Sequence, residues 1–261
     1  MVSSHRYVIM DGIKEKFSNL IKDQNLEIFD GPFVVKNFLK NVEDYLNWNI
    51  LNEAINNDVT NCRLIEKKST VPILEIPWSR TNFAKVEINP NQNKQYFLDH
   101  VNNGTTFIIE KCGLLNDNFK SLVSGIQETF PFACEIKIFG SKGTNSKSFT
   151  PHTDRINNFI IQAIGDTDWV VFKNRISNIL PFSNYINYEP KKGELTPALE
   201  VTLSPGDLLY IPPRAYHVAL PSMPRLSMSI PCISIDNFDL SFDDNSMLDQ
   251  SINLLPPDVK K

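Results

Sequence analysis

The stretch KSFTPHTDRINNFIIQAI, residues 147–164, sets a histidine and a carboxylate one residue apart, just ahead of an apolar run. The chain has four histidines in all, so the placement of His152 beside Asp154 asks for a chemical reason. Alternate residues of a strand face the same way, and both side chains can therefore point to one side. An imidazole and a carboxylate suit a divalent metal, but two ligands from one strand need a third from elsewhere. His217, in LSPGDLLYIPPRAYHVAL, is the candidate: Pro205-Gly206-Asp207 makes a tight turn, an apolar strand follows, and PPRAY carries the histidine onto the next strand. Two histidines and one carboxylate occupy one face of a metal and leave three positions open, the arrangement associated with non-haem Fe(II) centres. A buried histidine satisfied by a carboxylate would account for His152 and Asp154 alone, but it gives His217 no part. His5, near the start of the chain, and His100, beside a polar loop, read as surface histidines.

These residues need elements to hold them. Ile13, Phe17, Leu20 and Ile21 repeat with helical spacing, as do Val42, Tyr45, Leu46 and the run from Trp48 to Leu51. Between them GPFVVKNFL, 31–39, reads as a strand opened by Gly-Pro. A third helical pattern, Phe119, Leu122, Val123, Ile126 and Phe130, follows LNDN, where Asn116 or Asp117 can cap it, and it ends at Pro131. From there strand signals dominate, at 133–139, 158–164, 168–172, 199–203, 207–212 and 225–231, separated by turn-rich segments that include SNYINYEPKKGE. Short strands at this spacing indicate a sandwich or barrel rather than a parallel sheet alternating with helices. The expected fold is mainly β with helical decoration: a double-stranded β-helix, or jelly roll, whose two histidine-bearing strands face each other across its mouth. The expected division is an N-terminal helix and strand region over 1–100 packing on the core, a jelly-roll core over 101–235, and a tail over 236–261 with one short helix.

Composition excludes several classes. With 26 basic and 30 acidic residues the formal charge is −4, without a long block of either sign, so no nucleic-acid partner is expected. The opening MVSSHRYVIMDGIKEKF lacks the apolar centre of a signal peptide, and nowhere do about 18 apolar residues run together, so a cytoplasmic protein without a membrane span is expected. Cys62, Cys112, Cys134 and Cys232 are far apart in sequence, with no C-x-x-C pair, and read as reduced and packed.

Taken together, GTT followed by apolar residues, PH-x-D, F-x-x-Q-x-x-G-x-x-x-W and PGD-x-LY-x-PP-x-x-x-H resemble the cupin-fold JmjC-like oxygenases, in particular the ribosomal-oxygenase and asparaginyl-hydroxylase branches, over about residues 100–232. The resemblance implies a core that binds Fe(II) through His152, Asp154 and His217 and takes 2-oxoglutarate as co-substrate. The implied activity is a dioxygenase that converts 2-oxoglutarate to succinate while hydroxylating an unactivated carbon of an amino-acid side chain in a peptide or protein. A free amino acid or small metabolite is the alternative substrate, and a non-catalytic binding module the alternative class. Asn158 matches a position where the asparaginyl-hydroxylase branch carries an asparagine near the co-substrate.

Two departures from the family pattern matter. Family members place a lysine or arginine between the glycine and tryptophan of the second motif to grip the distal carboxylate of 2-oxoglutarate; here GDTDW puts Thr167 there, with acids on both sides. A buried dicarboxylate needs a compensating cation. Arg225, in Arg225-Leu-Ser227, resembles the R-x-S pair of other 2-oxoglutarate oxygenase branches, and Ser227 would share its strand face. Lys173 is the weaker substitute. The second departure is the stretch after Cys232, too short for the winged-helix domain of the ribosomal branch. The ribosomal substrate is therefore not inherited with the fold, and the oligomeric state stays open, a homodimer included.

Overall fold

A computed structural model of the chain describes residues 5–23, 31–67, 83–90, 92–142, 149, 151–154, 156–175 and 195–234. In chain order the elements are α1 (His5–Asp23), β1 (Phe33–Val35), a 3-10 turn (Val42–Asp44), α2 (Trp48–Ile55), β2 (Asn61–Lys67), β3 (Phe83–Ile88), α3 (Lys94–Asn102) and β4 (Thr106–Glu110). They continue with α4 (Asp117–Thr129), β5 (Phe132–Cys134), β6 (Lys137–Ser141), β7 (His152–Thr153), β8 (Asn157–Ile164), β9 (Thr167–Arg175), β10 (Pro197–Leu203), β11 (Leu208–Ile211), β12 (Ala215–Pro221) and β13 (Arg225–Ser234).

Among the described residues the strands form two antiparallel sheets, a large one in the order β1-β11-β8-β13-β6-β4-β2-β3, with β5 also on β13, and a small one in the order β10-β9-β12-β7. Apolar side chains of both sheets meet between them: Ile160, Leu209 and Ile211 from the large sheet pack with Trp169, Val171, Ala219 and Leu203 from the small one. The opposite face of the large sheet is apolar as well. Leu226, Met228, Ile230 and Cys232 of β13 join Phe159 and Ile161 of β8 in a second core closed by Ile13, Phe17 and Leu20 of α1 and Phe119, Leu122 and Ile126 of α4. This period-2 division is the physical content of the jelly roll, since β8 and β11 each offer one row to the sandwich and one to the helices.

Local chemistry fixes the boundaries. Asn116 caps α4, its side-chain oxygen accepting from the Phe119 N–H at 2.8 Å. α1 lies close on α4, where a Cβ at Gly125 would come within 2.6 Å of Ile13. Phe17 fills the junction of helices and sheet, with its ring centroid 5.0 Å from Phe38 and 5.7 Å from Phe159. Gly206 adopts φ 92° in the turn before β11, and a Cβ there would stand 2.4 Å from the Leu39 carbonyl oxygen, so the turn takes glycine for both reasons.

Several expectations change. The helix read over 42–51 is interrupted, because Asn47 turns out of helical conformation to cap α2 and accepts from the Asn49 and Ile50 N–H groups. The strand read over 31–39 is only three residues long and ends at Val35, two residues before Asn37, which has φ 54°. The run 133–139 is two strands, β5 and β6. β2, β3 and α3 were not foreseen; β2 pairs with β4 and carries the large sheet outward into β3. The strands bearing the two histidines do not face each other across the mouth but lie side by side, with His217 directly opposite His152 in the β12–β7 ladder. SNYINYEPKKGE and the tail 236–261 fall outside the described residues. No helix among those described is long and apolar enough to cross a membrane.

Candidate metal centre

The histidines and the aspartate meet at the open end of the small sheet. One ligand atom from each of His152, Asp154 and His217 lies within 4.8 Å of the other two. The imidazole centroids are 4.4 Å apart, and His217 Nε2 stands 3.7 Å from Asp154 Oδ2, too far for a hydrogen bond. The tautomer of His217 follows from its neighbour. Its Nδ1 is 2.9 Å from the Ala215 carbonyl oxygen, which can only accept, so Nδ1 carries the proton and Nε2 turns a lone pair toward Asp154 and His152. His217 is buried, whereas His152 is half-buried and the Asp154 side chain is 40% exposed. A cation held here would be backed by protein on one side and open on the other.

The backbone brings Asp154 to His217. Arg214, at φ 64°, makes the bend after Pro212-Pro213, and its N–H donates to the Asp154 carbonyl oxygen at 2.5 Å. That bond ties the segment after β7 to the turn before β12, and the sequence alone gave no sign of it. Trp169 stacks beside His217 at 6.2 Å, and Phe149 lies 5.1 Å from His152.

The inward rows of the sandwich place the other candidates. Since Leu226, Met228 and Ile230 face the helices, Arg225, Ser227 and Ser229 face the sandwich interior. Arg225 is 2% exposed, and its Nε has no hydrogen-bond partner. Desolvation, with no carboxylate to offset it, pulls its guanidinium down to about 10. Ser227 is buried opposite Gln162 of β8. Thr167 is buried on β9, and its hydroxyl also lacks a partner. Asp168 beside it does not follow it inward: it is exposed and accepts from the Thr202 hydroxyl on the outer surface. Asn158 is buried and accepts from the Ser229 hydroxyl at 3.0 Å. Lys173 is exposed. Tyr210 faces the helical core, stacked on Phe33 at 4.9 Å with its hydroxyl on Asn157.

Gln162 was noticed in the sequence only as a motif position. Its Nε2 donates to the carbonyls of Ile164 and Gly165, each at 2.9 Å, which fixes the amide and leaves Oε1 buried without a donor. Gly165 itself has φ 68°, and a Cβ would stand 2.2 Å from the Pro224 carbonyl oxygen. The interior thus holds a buried hydroxyl, Thr167, and a buried guanidinium, Arg225, whose Nε has no hydrogen-bond partner, donors suited to an anion, while the Gln162 Oε1 is an acceptor suited to a donor.

Residues 123–238 match the family model of the JmjC domain. That stretch is similar to a JmjC domain. It is 27% identical over 197 residues to the bifunctional lysine-specific demethylase and histidyl-hydroxylase NO66 of Dictyostelium discoideum, a match covering 73% of this chain and 34% of that protein. Human ribosomal oxygenase 1 is 38% identical over 77 residues, 29% of this chain and 12% of its own. Among solved structures, Escherichia coli ycfD superposes with a TM-score of 0.63 at 15% identity, covering 88% of this chain and 55% of that one. The ribosomal oxygenase YcfD in complex with cobalt and 2-oxoglutarate superposes with a TM-score of 0.61 at 17% identity, covering 92% and 59%. The JmjC domain and the jelly roll agree, and the chain spans about a third of the length of the Dictyostelium relative.

Proposed function

We propose that this chain is an Fe(II)- and 2-oxoglutarate-dependent oxygenase that hydroxylates an amino-acid side chain in a peptide or protein. The observation that carries the reading is the convergence of His152, Asp154 and His217 at a sandwich whose interior buries Arg225, with no carboxylate paired to it among the described residues. The donor set fits iron: two imidazoles and one carboxylate, one imidazole already locked with its Nε2 free. With Fe(II) bound there, the chemistry supplied would couple decarboxylation of 2-oxoglutarate to hydroxylation of a carbon.

The chain's own residues do the rest. Arg225 pairs with the distal carboxylate of the oxo acid, Ser227 and Thr167 hydrogen-bond it, and Asn158, held by Ser229, borders the same inward face. Ile160, Trp169, Val171, Leu209 and Ala219 wall the interior and keep water from it. The exposed side of Asp154 and the half-buried His152 leave the substrate its approach.

A peptide or protein substrate is supported by relatives whose names include histidyl-hydroxylase, demethylase and ribosomal oxygenase. The formal charge of −4 gives no basis for a nucleic-acid partner. A cytoplasmic location fits four cysteines that are all free thiols. Thr167, in place of a cation on β9, favours a non-catalytic binding module as the second reading. Anaerobic addition of Fe(II) and then 2-oxoglutarate separates the two: a weak visible charge-transfer band supports the oxygenase, and its absence at saturating ligand supports the module.

A further inference from the structure

The four cysteines, scattered in sequence, fall into two spatial pairs. Cys134 of β5 stands directly opposite Cys232 of β13 in an antiparallel ladder. Cys62 of β2 lies near Cys112, whose thiol donates to the carbonyl of Ile109, the residue opposite Cys62 on β4. Directly opposed residues of an antiparallel pair have Cα atoms about 4.5 or 5.5 Å apart, and a disulfide spans Cα separations of about 4.4–6.8 Å. The first pair can therefore be bridged without moving either strand.

The pairs differ in access. Cys62 and Cys112 are both buried, and burial pushes both thiols up to about 12, which keeps them protonated and inert. In the other pair Cys232 is fully buried, but Cys134 is partly exposed at the end of its short strand. The hydrogen bond with Cys232 lowers the Cys134 thiol, while burial, and then that same bond, raises Cys232. One partner is the accessible nucleophile and the other the resolving thiol.

We propose that Cys134 and Cys232 form a peroxide-oxidisable dithiol that closes to a disulfide stapling β5 to β13. The step balances. The Cys134 thiolate attacks hydrogen peroxide, the O–O bond breaks, an S–O bond forms, and the hydroxide released takes up the thiol's proton to leave as water. Cys232 then attacks the sulfenic sulfur, the S–O bond breaks, and the departing hydroxide takes the Cys232 proton as a second water. Two thiols lose two electrons and two protons, and the peroxide is reduced to two waters. β13 is also the strand that carries Arg225, Ser227 and Ser229, so the staple pins the far end of the strand that lines the sandwich interior. The proposal does not depend on iron or on the hydroxylase reading.

The test uses the full chain, reduced and kept in chelator so that no iron is present, and exposed to a small excess of hydrogen peroxide. Intact mass is expected to fall by about 2 Da, free thiols to drop from four to two, and an unreduced digest to contain a peptide joining Cys134 to Cys232, all reversed by dithiothreitol. The oxidised chain is expected to melt several degrees higher than the reduced one. Cys134→Ser should lose no thiol, and Cys232→Ser should gain about 16 Da on Cys134 without a cross-link. Four surviving thiols, a link between Cys62 and Cys112, or disulfide-joined dimers would each overturn the assignment.

Discussion

His217 and Arg225 occupy opposite chemical situations on the inward rows of the two facing sheets. His217 is already oriented by the Ala215 carbonyl, so iron binding needs no rearrangement of that ring. Replacing His152, Asp154 or His217 by alanine is expected to abolish iron retention and leave the circular dichroism spectrum unchanged; one equivalent of iron in the Asp154→Ala protein would remove that residue from the ligand set. Arg225 is a buried guanidinium whose Nε has no hydrogen-bond partner. Truncating one partner of a desolvated charge pair costs about 2–5 kcal/mol, so Arg225→Ala should weaken 2-oxoglutarate binding by roughly thirty-fold or more. Thr167→Val removes one neutral hydrogen bond, about 1 kcal/mol, and should weaken it about five-fold. Titration of the charge-transfer band measures both, and unchanged affinity in Arg225→Ala would transfer the role to another cation. The same burial makes a stability prediction of opposite sign. The unliganded Arg225→Met protein should be at least as stable in urea as wild type, because an uncompensated guanidinium is removed and its volume largely refilled.

At the scale of elements, the turn between β10 and β11 clamps β1 to the sandwich. Asp207 accepts from the Asn37 N–H at 3.0 Å, the Ser204 N–H at 2.9 Å and Lys36 Nζ at 2.7 Å. Its side chain is 4% exposed; that burial alone would raise the carboxyl, but the Lys36 bond and the two backbone donors outweigh it and hold the group below its ordinary 3.8. A depressed carboxylate contributes stability that is present above the unfolded value and is lost as pH falls through the lower folded one. The wild-type protein should therefore lose stability below about pH 4. Asp207→Asn should cost about 1–3 kcal/mol at pH 7 and show a shallower acid limb. Urea midpoints at pH 7 and pH 3 check it, and an equal midpoint shift at both values would assign the cost to packing instead of charge.

At the scale of the whole molecule, the outer core draws on both sides of residue 100. Phe17, Phe38, Leu46 and Leu64 pack in the same cluster as Phe119, Phe159, Met228 and Ile230. β1 and β2 are hydrogen-bonded into the large sheet through β11 and β4. A fragment spanning 101–235 would expose that face and leave β4 without β2 along one edge. It is expected to be insoluble or to lack a cooperative thermal transition, and the full chain is expected to melt cooperatively. A soluble, cooperatively melting fragment would show that the first hundred residues only decorate the core.

Much of this was legible because it is local. Alternation placed His152 with Asp154 and Arg225 with Ser227, since the side-chain period of a strand is two whatever lies around it. Helical spacing gave α1 and α4, and turn residues gave most strands from β8 onward, because these signals are carried by neighbours in sequence. What sequence could not give was pairing. That β7 lies beside β12 with the histidines in register, that β2 and β3 extend the large sheet, and that Tyr210 turns to the helices all depend on which strands meet across long separations. The Arg214 bond to Asp154, the three donors on Asp207 and the two cysteine pairs belong to the same class. Each joins residues remote in the chain, and only the assembled sandwich brings their atoms within reach.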